Sequence, residues 1–283
     1  MKGPPRNPPA ESFFLKTESG NLFCLYHAPH PNKESCGAFI YVHPFCEEMN
    51  KSRRMVALQA RSFAAMGFGV LQVDLFGCGD SSGEFGDARW EIWKQNLSAA
   101  RNWLENRVST PISLWGLRLG ALLALDFARS SVNEIDKIIL WQPVINGELF
   151  LTQFLRLRLA NEILTEELEK TVGIQDMRNS LSTEGQLEVA GYKLSSDLAA
   201  VIDGMRAVKL TVSKVPVHWF EAVSESGRGM PPAGAKVVRA WEQEGINLHV
   251  HLVPCVPFWA TREISECPEL LSATARILSK VQS

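Results

Sequence analysis

The stretch Trp115-Gly116-Leu117-Arg118-Leu119-Gly120 constrains this chain more than any other. A strand-like run over 110–114 leads into it, and small apolar residues over 121–129 lead out with helical character. Two glycines spaced four apart permit a sharp strand-to-helix turn where backbones must approach closely. Such a turn needs a sheet before it and a packed helix behind it. The side chain at its apex is Arg118.

The flanking sequence supplies that sheet. Two β-rich runs, 12–16 and 21–28, are split by Glu18-Ser19-Gly20-Asn21, a hairpin signal. GAFIYV (37–42) is apolar throughout, as a strand covered on both faces must be. Apolar residues at helical spacing follow over 51–66, and 70–74 is a second buried strand. A loop over 75–86 holds four glycines, and 90–107 is amphipathic. Further strands are expected at 137–141, 215–220 and 248–253, with helices at 233–244 and at 265–281. Strands alternating with helices make a mostly parallel sheet with helices on both faces. Between 146 and 210 the pattern is helical with no convincing strand, which reads as a helical lid over the strand ends. The whole, 1–283, is expected to be one domain, with 1–11 a flexible, proline-rich arm.

Composition excludes several roles. A net charge of −2 gives no basic surplus for nucleic acid. The six cysteines form no C-x-x-C pair, so neither a zinc site nor a disulfide framework is expected, and no cofactor is called for. No apolar run reaches the ~20 residues of a membrane span. The N-terminus lacks the apolar core of a signal peptide, and a cytoplasmic location is expected.

Three features occur in order. His43-Pro44 ends the strand GAFIYV. Asp74-x-x-Gly77-x-Gly79-x-Ser81-x-Gly83 follows the next strand, and the glycine-flanked turn comes third. With VHPFCEEMNKSRRM (42–55), DLFGCGDSSGEF (74–85), LWGLRLGALLA (114–124) and PFWATREI (257–264), the chain resembles the α/β-hydrolase superfamily over 21–281. More narrowly it resembles the second of two hydrolase families associated with the exosortase A system, which sorts PEP-CTERM proteins beside exopolysaccharide genes. That resemblance implies an α/β-hydrolase fold. It also implies a protein partner in the exosortase and exopolysaccharide system, and an elbow at 116–120 that commonly carries arginine.

Arginine at the apex changes the chemistry. In an active hydrolase of this layout the apex is a serine, a histidine in the loop after the last strand takes its proton, and an Asp or Glu orients that histidine. Here the last loop, 254–262, has no histidine, and Trp259 stands where the base would be. His249 and His251 fall one loop early, as sheet-face residues. Glu221 and Glu225 are the acid candidates, against a reading as solvated loop charges. A guanidinium stays protonated and is no nucleophile. At the first turn of a helix a cation is disfavoured by ~0.3–1 kcal/mol and calls for an anion. Glu47 or Glu48 from the loop after 37–42 could supply it internally. Alternatively an acidic small molecule or chain end binds there, with His43, Phe45, Glu47, Glu48, Leu119 and Trp259 around Arg118. The rival expectation is an active ester or peptide hydrolase using Cys46, with His43 as its base, or a water activated by Glu47 or Glu48.

Overall fold

The computed structural model describes residues 8–131, 135–164 and 173–279. Of the arm expected over 1–11, residues 1–7 lie outside them, and Glu11 belongs to the first strand, not the arm. Strands β1 (Glu11–Thr17), β2 (Gly20–His27), β3 (Gly37–Val42), β4 (Phe68–Val73), β5 (Ile112–Leu117) and β6 (Ile138–Trp141) enter one eight-stranded sheet. β9 (Val217–Val223) and β10 (Leu248–Pro254) complete it, in the order β1-β2-β4-β3-β5-β6-β9-β10. β1 and β2 pair antiparallel as a hairpin, and β2 meets β4 antiparallel. The remaining pairs are parallel.

Helices α1 (Glu47–Ala65), α2 (Trp90–Glu105), α3 (Leu119–Ser130), α7 (Pro232–Gln243) and α8 (Pro268–Ser279) cover the two faces. Alternation along each strand sends side chains to opposite faces. In β3, Ala38, Ile40 and Val42 join α2 and α3 in one core. Phe39 and Tyr41 join α1, α8, Trp115 and Trp141 in the other. Trp115 and Trp141 are therefore core residues, fully buried and edge to face at 4.7 Å.

Two sequence expectations need correction here. Between β6 and β9 come α4 (Gly147–Leu164), α5 (Ile174–Glu184) and α6 (Ser196–Gly204), but also a hairpin of β7 (Gln186–Val189) and β8 (Tyr192–Ser195). The insert is therefore not all helical. Leu187, Val189 and Leu194 are buried, so four-residue strands too short to show a period still fill a core. The second correction is α1, which begins at Glu47 and not at 51. Glu47 and Glu48 are thus its first turn, where carboxylates suit the helix dipole.

His218, His249 and His251 gather on one face of β9 and β10. His218 Nδ1 lies 3.2 Å from His251 Nε2, and its ring stacks on His249 at 4.8 Å. Burial first, then His249, His251 and Lys137, push the His218 imidazole down from 6.5 to about 4. The folded protein holds His218 neutral where the unfolded chain would protonate it, so stability must fall as pH drops from 6.5 towards 4. Thermal unfolding midpoints should decline across that window, and His218→Gln should flatten the decline. An equal decline in the variant would rule out His218 as its source.

Candidate functional site

β5 runs through Leu117, and α3 starts at Leu119, so Arg118 is the single residue between strand and helix. Its backbone sits at φ 56°, ψ −118°, a region that costs a non-glycine residue ~1–3 kcal/mol. Neighbouring bonds fix it: Arg118 N–H donates to Trp141 O at 3.0 Å, and Val144 N–H donates to Arg118 O at 3.2 Å. The flanking glycines are required by space. A Cβ on Gly120 would lie 2.3 Å from Val42 O and 2.4 Å from His43 O. One on Gly116 would lie 2.5 Å from Ala121 Cα. Cys46, which precedes α1, adopts nearly the same conformation at φ 50°, ψ −129°. Two strained residues, each at the start of a helix, flank the same cavity.

That cavity, of about 500 Å³, has Arg118 and Glu48 among its lining residues. Arg118 Nε donates to Glu48 Oε1 at 3.1 Å, with both side chains largely buried. The internal anion expected for Arg118 is therefore Glu48, and α1 supplies it because its first turn reaches the start of α3. The guanidinium also lies 5.5 Å from the Trp259 ring and 5.8 Å from the Phe150 ring, both in cation–π range. Trp259, from the loop after β10, thus lies beside the apex residue. Burial pushes the Glu48 carboxyl up, while Arg118 and then Lys51 pull it back. Its second oxygen, Oε2, is buried with no hydrogen-bond partner among the described residues.

Glu47 lines the cavity and accepts a hydrogen bond from Tyr192 Oη at 3.2 Å, joining the hairpin to α1. Phe45 lines it as well, edge to face with Phe150 and Phe154 of α4. The insert therefore supplies Phe150, Gln153, Phe154, Leu157, Ala190 and Tyr192 to the wall. Sequence reasoning missed these, although the dense apolar spacing at 149–157 was visible. Lys51 also lines the cavity.

Other candidates lie elsewhere. His43 and Leu119 do not line the Arg118 cavity; both border a smaller space against Trp90 and Trp93. Both His43 ring nitrogens are engaged: Nδ1 donates to Pro44 O at 2.7 Å, and Nε2 accepts from Leu75 N–H at 3.2 Å. Burial also lowers its basicity, so it holds two loops together and has no free nitrogen for Cys46. The Cys46 thiol is buried, and burial pushes it well up, away from thiolate. Glu221 is not a loop charge but a buried residue within β9. It accepts from Gln142 Nε2 at 3.0 Å and from Trp219 Nε1 at 2.9 Å. Both its oxygens are thus occupied. Glu225 is exposed in the loop after β9 and is absent from the cavity wall. Among the described residues, no group of three or more His, Cys, Asp or Glu side chains could hold a metal ion. None of the described helices is long and apolar enough to cross a membrane.

The family model of serine aminopeptidase, S33, matches residues 33–237. Among solved structures, Est1E from Butyrivibrio proteoclasticus with ferulic acid bound superposes with a TM-score of 0.66 at 16% identity, covering 95% of this chain and 97% of that one. A thermostable carboxyl esterase from Bacillus coagulans in complex with glycerol gives 0.64 at 14% identity, covering 96% and 99%. XC6422 from Xanthomonas campestris, described as a serine hydrolase without lid, gives 0.56 at 16% identity, covering 98% and 97%. At these identities the likeness is one of fold. No curated protein sequence matches the chain.

Proposed function

Because the chain belongs to the serine aminopeptidase S33 family of α/β-hydrolases, yet carries arginine at its elbow, we propose that it binds an acidic ligand at Arg118 and does not perform acyl transfer. One observation carries this reading. The apex side chain is a guanidinium held by Glu48 through Nε alone, with its Nη groups given no acceptor by the described protein. A nucleophile and a base acting as a pair each matter by several orders of magnitude in rate. In this reading Trp259, whose ring lies beside Arg118, takes the place of the base, and the commitment of Glu221 to Gln142 and Trp219 supports the loss of the triad. The insert 146–210 acts as the lid, since it contributes one wall of the cavity.

In this proposal the ligand is an acidic small molecule or chain end. The resemblance in 42–55, 74–85, 114–124 and 257–264 supports a role beside the exosortase A and exopolysaccharide system, with a protein partner there. The rival, a hydrolase using Cys46 or a Glu-activated water, loses support from the Cys46 and His43 geometry.

The test has two arms. A fluorophosphonate probe and a panel of short-chain esters should give no labelling and no turnover with the native protein. Arg118→Ser should stay equally inert, because no imidazole stands beside residue 118. Turnover lost on mutating Cys46 or Glu47 would overturn the reading. Calorimetry with small carboxylates and phosphate should show binding that depends on Arg118.

A further inference from the structure

Arg118 and Glu48 both line the cavity, and each carries polar atoms that the described residues leave without a partner. On Arg118 they form the outer edge of the guanidinium. Of the five N–H donors that arginine carries, only the one on Nε has a protein acceptor among the described residues. On Glu48 the atom is Oε2, buried without a partner while Oε1 receives Arg118. A buried polar atom left unpaired is costly and invites an explanation. Here one occupant would suit both residues: an anion on the Nη edge that also meets the Glu48 carboxyl group through a proton.

We propose that the cavity takes an apolar monocarboxylic acid. Its carboxylate sits on the Nη fork of Arg118 and shares one proton with the Glu48 carboxyl group, so that binding takes up a proton from solvent. This rests on the reading of Arg118 as an anion site and specifies its ligand.

The charge balance points to a single carboxylate. Arg118 is already neutralised by Glu48. Adding a second carboxylate places two anions on one cation, and two carboxylates in one site cannot both stay ionised. One proton removes the excess charge and turns the Glu48 carboxyl group into the donor that the ligand oxygen needs. A phosphate dianion would need a second cation near the floor, and Lys51 is the other cation on the wall, with Glu47 also there. The groups that act on Glu48 are few. Arg118 comes from the start of α3, while Glu47 and Lys51 share α1. Cys46 precedes α1, and the buried, unpartnered Tyr41 hydroxyl comes from β3. Neither is a cation, and burial pushes both the Cys46 thiol and the Tyr41 phenol up, keeping them neutral.

The walls specify the rest of the ligand. Phe45, Phe150, Phe154, Leu157 and Trp259 are apolar, and about 500 Å³ is the size of a small-molecule site. Phe150 and Trp259 flank the guanidinium and would exclude water from the carboxylate once the apolar body is seated. Desolvation strengthens the charge-assisted bonds it surrounds.

The probe is 4-phenylbutyrate, titrated calorimetrically in two buffers of different ionisation enthalpy between pH 6 and 8.5. Uptake approaching one proton per ligand is expected at the alkaline end, with affinity falling about tenfold per pH unit there. Glu48→Gln supplies the donor permanently, so its binding should be independent of pH and of buffer. The uncharged 4-phenylbutanamide should not bind. Binding of 4-phenylbutyrate without proton uptake, or its failure to bind, overturns the inference. Arg118-dependent binding of inorganic phosphate with no binding of 4-phenylbutyrate would sink this inference alone and leave the anion site standing. Equal binding of 4-phenylbutyrate to the doubly neutral Arg118→Gln/Glu48→Gln protein would sink both.

Discussion

An Arg118→Ser protein should lose roughly 2–3 kcal/mol of stability at pH 8, and clearly less at pH 5. The substitution removes the only cation bonded to Glu48 among the described residues and leaves a largely buried carboxylate behind. Complete burial would cost ~3–5 kcal/mol, and residual exposure of the pair reduces that figure. The pH dependence follows from the sign of the shift. Burial already pushes Glu48 above its ordinary 4.5, and losing Arg118 pushes it further. A carboxyl whose folded pKa exceeds its unfolded value keeps its proton in the fold after the unfolded chain has lost it. Stability therefore falls as pH rises above 4.5 and is regained on acidification. Adding Glu48→Gln should restore most of the loss at pH 8, since no charge is then stranded. Urea unfolding of the three variants at both pH values checks this. An equal loss at pH 5 and pH 8, or a double variant as weak as the single one, would show that the pair does not govern the site.

Gly120→Ala should be worse, with at least about 3 kcal/mol lost and little folded protein recovered. The new methyl group would meet two backbone carbonyls, Val42 O at 2.3 Å and His43 O at 2.4 Å. Neither can retreat easily, because β3 is hydrogen-bonded to β4 on one side and β5 on the other. Relief requires α3 to lift from the sheet, which would carry Arg118 away from Glu48. Gly204→Ala is the control: it ends α6, and a Cβ there meets nothing within 4 Å. That variant should express and unfold like the parent. Normal stability in Gly120→Ala would mean that α3 is not clamped against β3 in the way described.

Local pattern carried the reading as far as local physics reaches. GAFIYV has no polar face, so it had to be a covered strand, and it is β3 to the residue. Gly116 and Gly120 marked a turn that needs bare backbone, and both are tightly crowded. The hairpin of β7 and β8 escaped notice because four residues give too few repeats to separate strand from helix. The first turn of α1 was missed because Glu47 and Glu48 are polar and signal a helix start only through the dipole.

The sequence by itself determined the alternation of strands and helices, the elbow, and the arginine at its apex, because each is written in neighbouring residues. Only the tertiary structure decided which of two adjacent glutamates meets Arg118, 70 positions away. It also decided that His43 is spent on Pro44 and Leu75, and that α4 and the hairpin wall the cavity. Those outcomes depend on how far each helix start reaches across the ends of a twisted sheet, a distance that no local period records.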